Sequence, residues 1–382
     1  METRNPIDLL THKRFDVVIK YLYASNLSSG FFKNTYKEHL GIWNGFTEDK
    51  RKKSTFEDFD NSFISMINNN VDEPVPVNPE GHLANGAHRL AAALYRQRPI
   101  NIRSTTKKEN YPIEADYKVF LRKGLQKHIL GRTALEYAKL KPNTHVICLF
   151  PIAHTRMDEV MNIIEKHSNI FYTSSEGLTA PGQIGLIKEI YLSEGWVSEK
   201  GIRKKCQQCF RGMAQVTFVL IDAKNLETVK EMKKEIRALF KVGNHSVHIN
   251  DYHVDTVRIA KTVFNDNSIH FLNKRRDVLF PNYKKLMSGK KPDNNTIITG
   301  STVLSLYGLR DCKDVDLIYF NNPPVDSHNQ YLGNLYKLTL DAIFNNPKYH
   351  LYYNGLQYVS LDVIKNMKKM RNEPKDVIDV KL

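Results

Sequence analysis

Asp314 and Asp316 stand two residues apart in an apolar run near the end of this 382-residue chain. On a β-strand, residues two apart point to the same face, so both carboxylates would lie side by side and repel each other. A divalent cation between them removes that repulsion, and hard oxygen ligands at this spacing suit Mg²⁺ carrying a nucleoside triphosphate. The pattern therefore predicts a magnesium site, although two solvated charges at a strand end would produce the same sequence.

A glycine and a serine precede this acidic pair and could supply a matching anion site. Twelve residues separate Ser301 from Asp314. Gly300 allows a close backbone approach, and Ser301 could open a helix over residues 302–308 whose N-terminal amides would face a phosphate. The cation site and the phosphate site would then adjoin.

Together these residues resemble the signature of the nucleotidyltransferase superfamily, in which a Gly-Ser pair is followed, after a spacer, by Asp-x-Asp among apolar residues. The resemblance covers residues 291–382. It implies that Asp314 and Asp316 bind Mg²⁺ and are catalytic, and that Gly300 and Ser301 position the phosphates of ATP or another NTP.

The third carboxylate of this superfamily is harder to place. Members that catalyse transfer usually carry it on a later strand, and the strand predicted within residues 356–361 contains no acid. Asp362, Asp376 and Asp379 follow it, but Asp362 equally suits the first turn of a helix. Without such a residue the domain could bind a nucleotide and catalyse nothing.

A second motif, Asn85-Gly86-Ala87-His88-Arg89, opens an Ala-rich helix after two short predicted strands and a Pro/Gly turn. Arg89 could hold a phosphate with two hydrogen bonds, and His88 could donate or exchange a proton near neutral pH. Both side chains would stand at a helix N-terminus, which favours anions. An ordinary helix start with a surface arginine is the alternative.

This motif resembles the ParB/sulfiredoxin fold, in which a Gly-x-His-Arg run before a helix cradles nucleotide phosphates. The resemblance implies that Asn85, Gly86, His88 and Arg89 bind phosphate and that His88 is catalytic. Ala87 stands where sulfiredoxins carry a reactive cysteine, which argues against sulfinic-acid reduction.

Kinase chemistry on this fold would meet a further obstacle. Asn85 replaces the aspartate of the free-serine kinases, and an amide is neither a base nor a good Mg²⁺ ligand. Another carboxylate would be needed, and Asp16 and Glu38 are candidates by residue type alone.

Imidazoles and carboxylates are dense between His245 and Asp255, where His248 falls in a predicted strand and His253 in a turn. They could form a metal or acid/base site. Polar residues at a strand end and a helix N-cap would explain the same density.

The predicted elements indicate a mixed α/β (α+β) fold. We expect a ParB/sulfiredoxin-like domain over residues 1–135, a middle α/β domain over 136–285 and a nucleotidyltransferase-like domain over 291–382. Residues 281–295 lack apolar periodicity and are the predicted linker. Two finer expectations are a strand at residues 117–120 and a helix running from Ser327 towards Phe344.

Composition bounds the partners. The formal charge of +15 at pH 7 predicts anionic partners, namely a nucleoside triphosphate, an anionic small-molecule or glycan acceptor, or nucleic acid. No apolar run is long enough to cross a membrane and the N-terminus lacks a signal-peptide core, so we expect a cytoplasmic protein without an integral membrane segment. Four cysteines are too few for a disulfide framework.

The leading hypothesis is therefore a Mg²⁺-dependent nucleotidyl- or phosphoryltransferase acting on a polar acceptor, with a sugar or polyol phosphate of a surface glycan as the suggested acceptor by fold-level analogy. One alternative is an ATP-dependent kinase that uses the His88 and Arg89 domain. Others are a ParB-like nucleic-acid-binding regulator and a toxin-type nucleotidyltransferase that modifies tRNA or protein.

Overall fold

The computed structural model describes residues 2–45, 55–69, 73–105, 115–194, 198–291 and 293–382. It contains both helices and several small sheets, as the predicted mixed α/β class requires. The chain forms two compact units, Met1–Pro142 with Asn169–Tyr172, and the remainder through Leu382. The division into three domains is finer than these two units and stays a prediction. The basic run at residues 50–53 lies outside the described residues.

The first unit combines a small sheet with surrounding helices. Strands β1 and β3 pair antiparallel, β2 and β3 pair parallel, and the order is β1-β3-β2. The elements of this unit are β1 (Glu2–Arg4), α1 (Pro6–Leu9), α2 (Phe15–Ala24), α3 (Gly30–Asn44), α4 (Phe56–Asn68), β2 (Val75–Val77), α5 (Ala87–Arg96), β3 (Ile100–Ser104), α6 (Tyr117–Arg122) and α7 (Lys127–Leu140).

Aromatic residues form much of the core of this unit. The rings of Tyr23 and Tyr36 stack at 4.8 Å between centroids, and Phe63 packs against both. The expectation of a strand at residues 117–120 was wrong, because α6 lies there. The side chain of Asp116 accepts a hydrogen bond from the backbone N–H of Val119 at 3.0 Å and so caps a helix, which a short apolar run cannot reveal.

The second unit begins with a four-stranded sheet in the order β5-β6-β4-β7. Strand β4 pairs antiparallel with both β6 and β7, and all of its residues are buried, as expected of a central strand. This order interleaves two βαβ units. The elements here are β4 (Thr144–Leu149), a 3₁₀ turn (Pro151–Arg156), α8 (Met157–His167), β5 (Ser168–Gly177), α9 (Ala180–Ile190), α10 (Glu199–Phe210), β6 (Gln215–Ala223), α11 (Leu226–Phe240), a 3₁₀ turn (Gly243–His245), β7 (Val247–Ile249), α12 (His253–Val263) and α13 (Asp266–Lys274).

The rest of the second unit holds another four-stranded sheet, in the order β10-β11-β8-β9. Strand β8 pairs antiparallel with β9 and parallel with β11. The elements are α14 (Pro281–Met287), β8 (Thr296–Thr299), α15 (Ser301–Leu306), β9 (Asp316–Tyr319), a 3₁₀ turn (His328–Tyr331), a π turn (Leu332–Tyr336), α16 (Leu340–Asn345), β10 (His350–Tyr353), β11 (Leu356–Val359), α17 (Leu361–Arg371) and α18 (Pro374–Lys381).

One further expectation was wrong, and the predicted linker proves to contain a helix. The predicted linker starts with α14, whose first backbone N–H groups, those of Asn282 and Tyr283, each donate to the Asp311 carboxylate at 3.1 Å. The helix predicted to begin at Ser327 is instead a 3₁₀ turn and a π turn that end at Lys337, where φ is +55°. Both outcomes depend on contacts that local periodicity does not encode.

In the described part of the chain, no helix has both the length and the apolar character needed to span a bilayer.

Candidate nucleotide and metal site

The turn between β8 and α15 brings the backbone directly against a carboxylate. Gly300 has φ of +64°, a conformation that favours glycine. A Cβ placed on Gly300 would lie 1.9 Å from Oδ2 of Asp316, which is closer than two non-bonded heavy atoms can approach. This contact follows from strand register, since Thr299 at the end of β8 pairs with Asp316 at the start of β9. The close backbone approach predicted at Gly300 is thus an approach to the Asp316 carboxylate.

Asp314 and Asp316 line one cavity of about 440 Å³ together with Gly300 and Ser301. Only Asp316 lies in β9; Asp314 precedes the strand and is exposed, so the expectation that one strand carries both was wrong. The loop position of Asp314 is held by its backbone carbonyl, which accepts a hydrogen bond from Oγ1 of Thr302 at 3.0 Å. The four predicted residues are thus brought together by a loop and a strand.

A chain of hydrogen bonds fixes the Asp316 carboxylate. Oδ1 of Asp316 lies 3.1 Å from Nε2 of His328, and Nδ1 of His328 lies 2.9 Å from the hydroxyl of Tyr336. That hydroxyl lies 2.7 Å from Oγ1 of Thr299, which returns the chain to β8. Asp316 is therefore oriented from both sides, with Gly300 on one and His328 on the other.

These surroundings keep Asp316 ionised. Burial alone would raise the pKa of Asp316, but the hydrogen bond with His328 and the positive charges of Arg371 and Lys368 outweigh it and lower the pKa. An ionised carboxylate is the form that binds a divalent cation.

Basic side chains form another wall of the same cavity. Those lining it are Arg310, Lys313, Lys368, Arg371 and Lys375. Four of these five side chains also pair with acids, since Arg310 and Lys368 contact Asp379, Arg371 contacts Asp376 and Lys375 contacts Glu373. They would therefore offer N–H donors to a polyphosphate more than an unbalanced positive charge.

The candidate third carboxylates are committed elsewhere. Nζ of the buried Lys368 lies 2.9 Å from Asp376 and 2.7 Å from Asp379. The Arg310 guanidinium also contacts Asp379, with 2.5 Å between Nε and Oδ1, so Asp379 lines the cavity as part of an ion-pair cluster. Asp362 lies in the first turn of α17 and is not among the residues that line the cavity.

The donor set bears directly on the predicted magnesium. Among the described residues, no group of three or more histidines, cysteines or acids could hold a metal ion. Mg²⁺ commonly binds one or two carboxylates and completes its octahedral shell with water and substrate phosphates. Asp314 and Asp316 therefore fit a magnesium ion that arrives with its nucleotide, and they do not fit a metal held by protein groups alone.

Ser301 begins α15, as expected, and lines the cavity. The helix is only six residues long, so its dipole is a weaker attraction for phosphate than the predicted helix over residues 302–308 would have provided. The basic side chains are the stronger source of positive potential at this site.

The Asn85–Arg89 motif lines a separate cavity of about 280 Å³ in the first unit. Gly86 adopts a φ of +95°, and a Cβ there would lie 2.8 Å from Cγ1 of Val75. Asn85 accepts a hydrogen bond from the Gly86 N–H at 2.6 Å, and Nε2 of His88 lies 2.9 Å from the Tyr36 hydroxyl. The motif therefore forms the predicted turn and helix start.

The charged groups of this cavity already have partners. Arg89 donates to the backbone carbonyls of Glu73 and Pro74 and lies 3.0 Å from the Glu73 carboxylate. Asp16, also in the cavity, is buried between Arg14 and Lys20, with contacts of 2.9 and 3.1 Å. Burial would raise the pKa of Asp16, but these two cations lower it strongly. Glu38 is not among the lining residues.

The structure separates the predicted His245–Asp255 cluster. His248 and Asp255 line a third cavity, whereas His245 contacts Lys205 and His253 begins α12. They do not form one metal site, in agreement with the absence of a metal-binding group among the described residues.

Sequence reasoning missed several residues of the C-terminal cavity. His328 and Tyr336 follow β9 without any motif, and only their contacts with Asp316 and Thr299 reveal them. Lys368 and Arg371 lie on α17, and Lys368 is buried in an ion-pair cluster. The repeated basic residues around the helix end were the available signal.

No family model matches the chain, and no curated protein matches it.

Proposed function

We propose that the C-terminal part of the second unit is a Mg²⁺-dependent nucleotidyltransferase that binds a nucleoside triphosphate and transfers its nucleotidyl group to a polar acceptor. The observation that carries this proposal is the approach of the Asp316 carboxylate to the Gly300 backbone. It joins the two halves of the sequence pattern, which lie apart along the chain, in one cavity.

Each group of residues in the cavity would have its own role in the reaction. Asp314 and Asp316 would hold Mg²⁺, which when bound would offset charge on the phosphates and polarise the transferred phosphorus. Gly300 leaves room for that carboxylate, and His328 keeps it ionised and oriented. Arg371 and its basic neighbours would bind the phosphates that leave as pyrophosphate.

The acceptor is proposed by chemical class. The lysines and arginines that line the cavity could donate to the phosphate of an acceptor as well as to the acids they contact, so a phosphorylated sugar or polyol is the proposed class. tRNA and the protein itself are the acceptors expected of a toxin-type enzyme. All of these would yield pyrophosphate.

The kinase alternative places chemistry in the N-terminal cavity. It would need Asp16 or Glu38 to act as base or metal ligand, and Glu38 does not line this cavity. The pairing of Asp16 with Arg14 and Lys20 leaves that carboxylate less available than Asp316, so the C-terminal site is favoured.

Product analysis tests the proposal. The full chain is incubated with each NTP, Mg²⁺ and pools of sugar phosphates or tRNA, and pyrophosphate and NDP are measured by mass spectrometry. We expect pyrophosphate, and we expect Asp314→Asn and Asp316→Asn each to reduce it by at least about 100-fold. Asp326→Asn, an exposed acid outside the cavity, is the matched control.

The contrary outcomes are distinct. NDP formation that survives Asp316→Asn and is lost in Arg89→Ala would establish the kinase alternative. Binding of NTP without either product would show a binding domain and would refute transfer.

A further inference from the structure

The middle sheet carries a cavity of about 770 Å³ that the proposed transfer reaction does not use. Its lining comes from α10, α11, β7 and the segments that follow α9 and precede α12. Lys205, Arg237 and His248 lie on the first three of these elements. A cavity lined by side chains from several elements suits a small molecule better than an extended polymer.

Four cations and three acids line this cavity, namely Lys204, Lys205, Lys233 and Arg237 against Glu194, Asp251 and Asp255. Lys233 pairs with Asp251 at 2.8 Å, and Asp255 pairs with Arg258 outside the lining at 2.8 Å. Lys205 donates to the backbone carbonyl of Asn244 at 2.8 Å instead of to an acid. Lys204 and Arg237 add two more cations.

Two of the buried side-chain nitrogen atoms that lack hydrogen-bond partners among the described residues belong to residues lining this cavity. They are Nε of Arg237 and Nε2 of His248. Burying a hydrogen-bonding group without a partner costs free energy, so such groups call for a bound partner. Both residues line the cavity, where a bound anion would supply the counter-charge that one of its four cations lacks.

The state of His248 agrees with an anion site. Burial, together with the positive charges of Lys233, Lys205, Arg237 and Arg258, lowers the pKa of His248 to about 3. The ring is therefore neutral while it lies within a positive field, and it can donate one N–H to an anionic oxygen.

Aromatic surface adjoins these cations. Tyr252 lines the cavity and is 69% exposed, which is unusual for a ring of its size. Tyr191 also lines it and packs edge-on against His248, with 4.5 Å between ring centroids. Flat apolar surface beside clustered cations is the combination that recognises a base and a phosphate.

We propose that this cavity binds a nucleoside monophosphate, with Arg237, Lys205 and His248 holding the phosphate and Tyr252 lying against the base. This inference does not depend on the proposed transferase, because it concerns different residues and requires no metal.

Calorimetric titration of the full chain with AMP, in EDTA and at constant ionic strength, tests the proposal. EDTA withholds the Mg²⁺ through which Asp314 and Asp316 would hold a nucleotide, so the parent chain serves as the background. We expect Arg237→Gln and Lys205→Gln each to weaken AMP binding by more than about tenfold, as loss of a charged hydrogen bond predicts. Lys234→Gln is the matched control, because Lys234 is exposed on the same helix and lies outside the cavity.

Two further arms locate the two parts of the ligand. Tyr252→Ala should weaken AMP by about tenfold and leave inorganic phosphate unchanged, because only AMP has a base to stack. The ring resonances of His248, assigned with His248→Gln, should shift on addition of AMP. Thermal melts confirm that each variant is folded. If Arg237→Gln does not fold, the effect of Lys205→Gln on AMP binding tests the proposal.

Clear results would overturn the proposal. They are absence of AMP binding to the parent chain, equal weakening by Lys234→Gln, or full binding in both Arg237→Gln and Lys205→Gln.

Discussion

Gly300 is the residue on which the candidate site depends most directly. Its positive φ and the 1.9 Å approach of Asp316 Oδ2 to a notional Cβ leave no space for a side chain. The proposed position of the Asp316 carboxylate beside the phosphates depends on this contact. The most specific structural prediction therefore concerns this position.

We expect Gly300→Ala to displace Asp316 and to destabilise the fold by about 1–3 kcal/mol, the range for a non-glycine residue in a strained conformation. Nucleotide binding should fall in parallel. Urea unfolding and NTP titration measure the two effects. Gly333→Ala is the control, since nothing lies within 4 Å of a Cβ there. Equal behaviour of the two variants would contradict the proposed contact.

His328 acts through Asp316, and its removal should change a pH profile. Burial raises the pKa of Asp316, and the contact with His328 is the first of the effects that lower it. Without that contact the pKa of Asp316 should rise. The acid limb of Mg²⁺-dependent nucleotide binding should therefore move to a higher pH. Titration of His328→Gln between pH 4 and 8 checks this. An acid limb that does not move would show that His328 does not tune Asp316.

At the scale of elements, α17 and α18 are joined by buried charge. Lys368 on α17 contacts Asp376 and Asp379 on α18, and Arg371 contacts Asp376 at 2.8 Å. Arg310 from the loop after α15 reaches Asp379 as well. This cluster holds the two C-terminal helices together beside the cavity. It also explains why neither aspartate is free to act as the third carboxylate.

Removing the central cation of this cluster should be costly. Lys368→Met would leave Asp376 and Asp379 buried with less compensation, and loss of one partner of a buried ion pair costs about 3–5 kcal/mol. Chemical denaturation measures the change in the free energy of unfolding. Lys369→Met, its exposed neighbour on the same helix, should change stability by less than about 0.5 kcal/mol. A small effect at Lys368 would show that Arg310 and Arg371 compensate for both aspartates.

At the scale of the whole molecule, buried titratable groups predict sensitivity to acid. Burial lowers the pKa of His39 and of His248. Burial would raise the pKa of Asp16 and of Asp376, but nearby cations outweigh it and lower both. A group whose folded pKa is lowered stabilises the protein above its unfolded pKa, and that contribution is lost as pH falls. Glu189 opposes this trend, since burial raises its pKa despite contact with Arg258.

We therefore expect the free energy of unfolding to fall by about 2–5 kcal/mol between pH 7 and pH 4. The histidine contribution should appear first, from about pH 6.5 downwards, because protonation of the unfolded chain begins there. Denaturation curves across this range measure the free energy of unfolding. His248→Gln should make its dependence on pH shallower, and His270→Gln, at an exposed position, should leave that dependence unchanged. Stability that rises towards pH 4 would contradict the assignment of neutral buried histidines.

The sequence by itself determined the local elements and the chemistry that each motif could perform. Local pattern predicted β11 within residues 356–361 and the start of α5 after Gly86, because strand and turn signals lie in neighbouring residues. The types and spacing of Gly300, Ser301, Asp314 and Asp316 predicted one site because close backbone approach needs glycine and Mg²⁺ prefers carboxylates. These properties belong to short stretches of chain.

Only the tertiary structure decided which groups meet across long separations. It placed His328 on Asp316, occupied Asp379 with Arg310 and Lys368, and split the histidine cluster so that His248 joined a cavity with Arg237. Burial and charge pairing depend on how distant segments pack, and a pKa follows those surroundings. A local pattern therefore indicates which chemistry a residue can perform, whereas packing decides whether the residue is free to perform it.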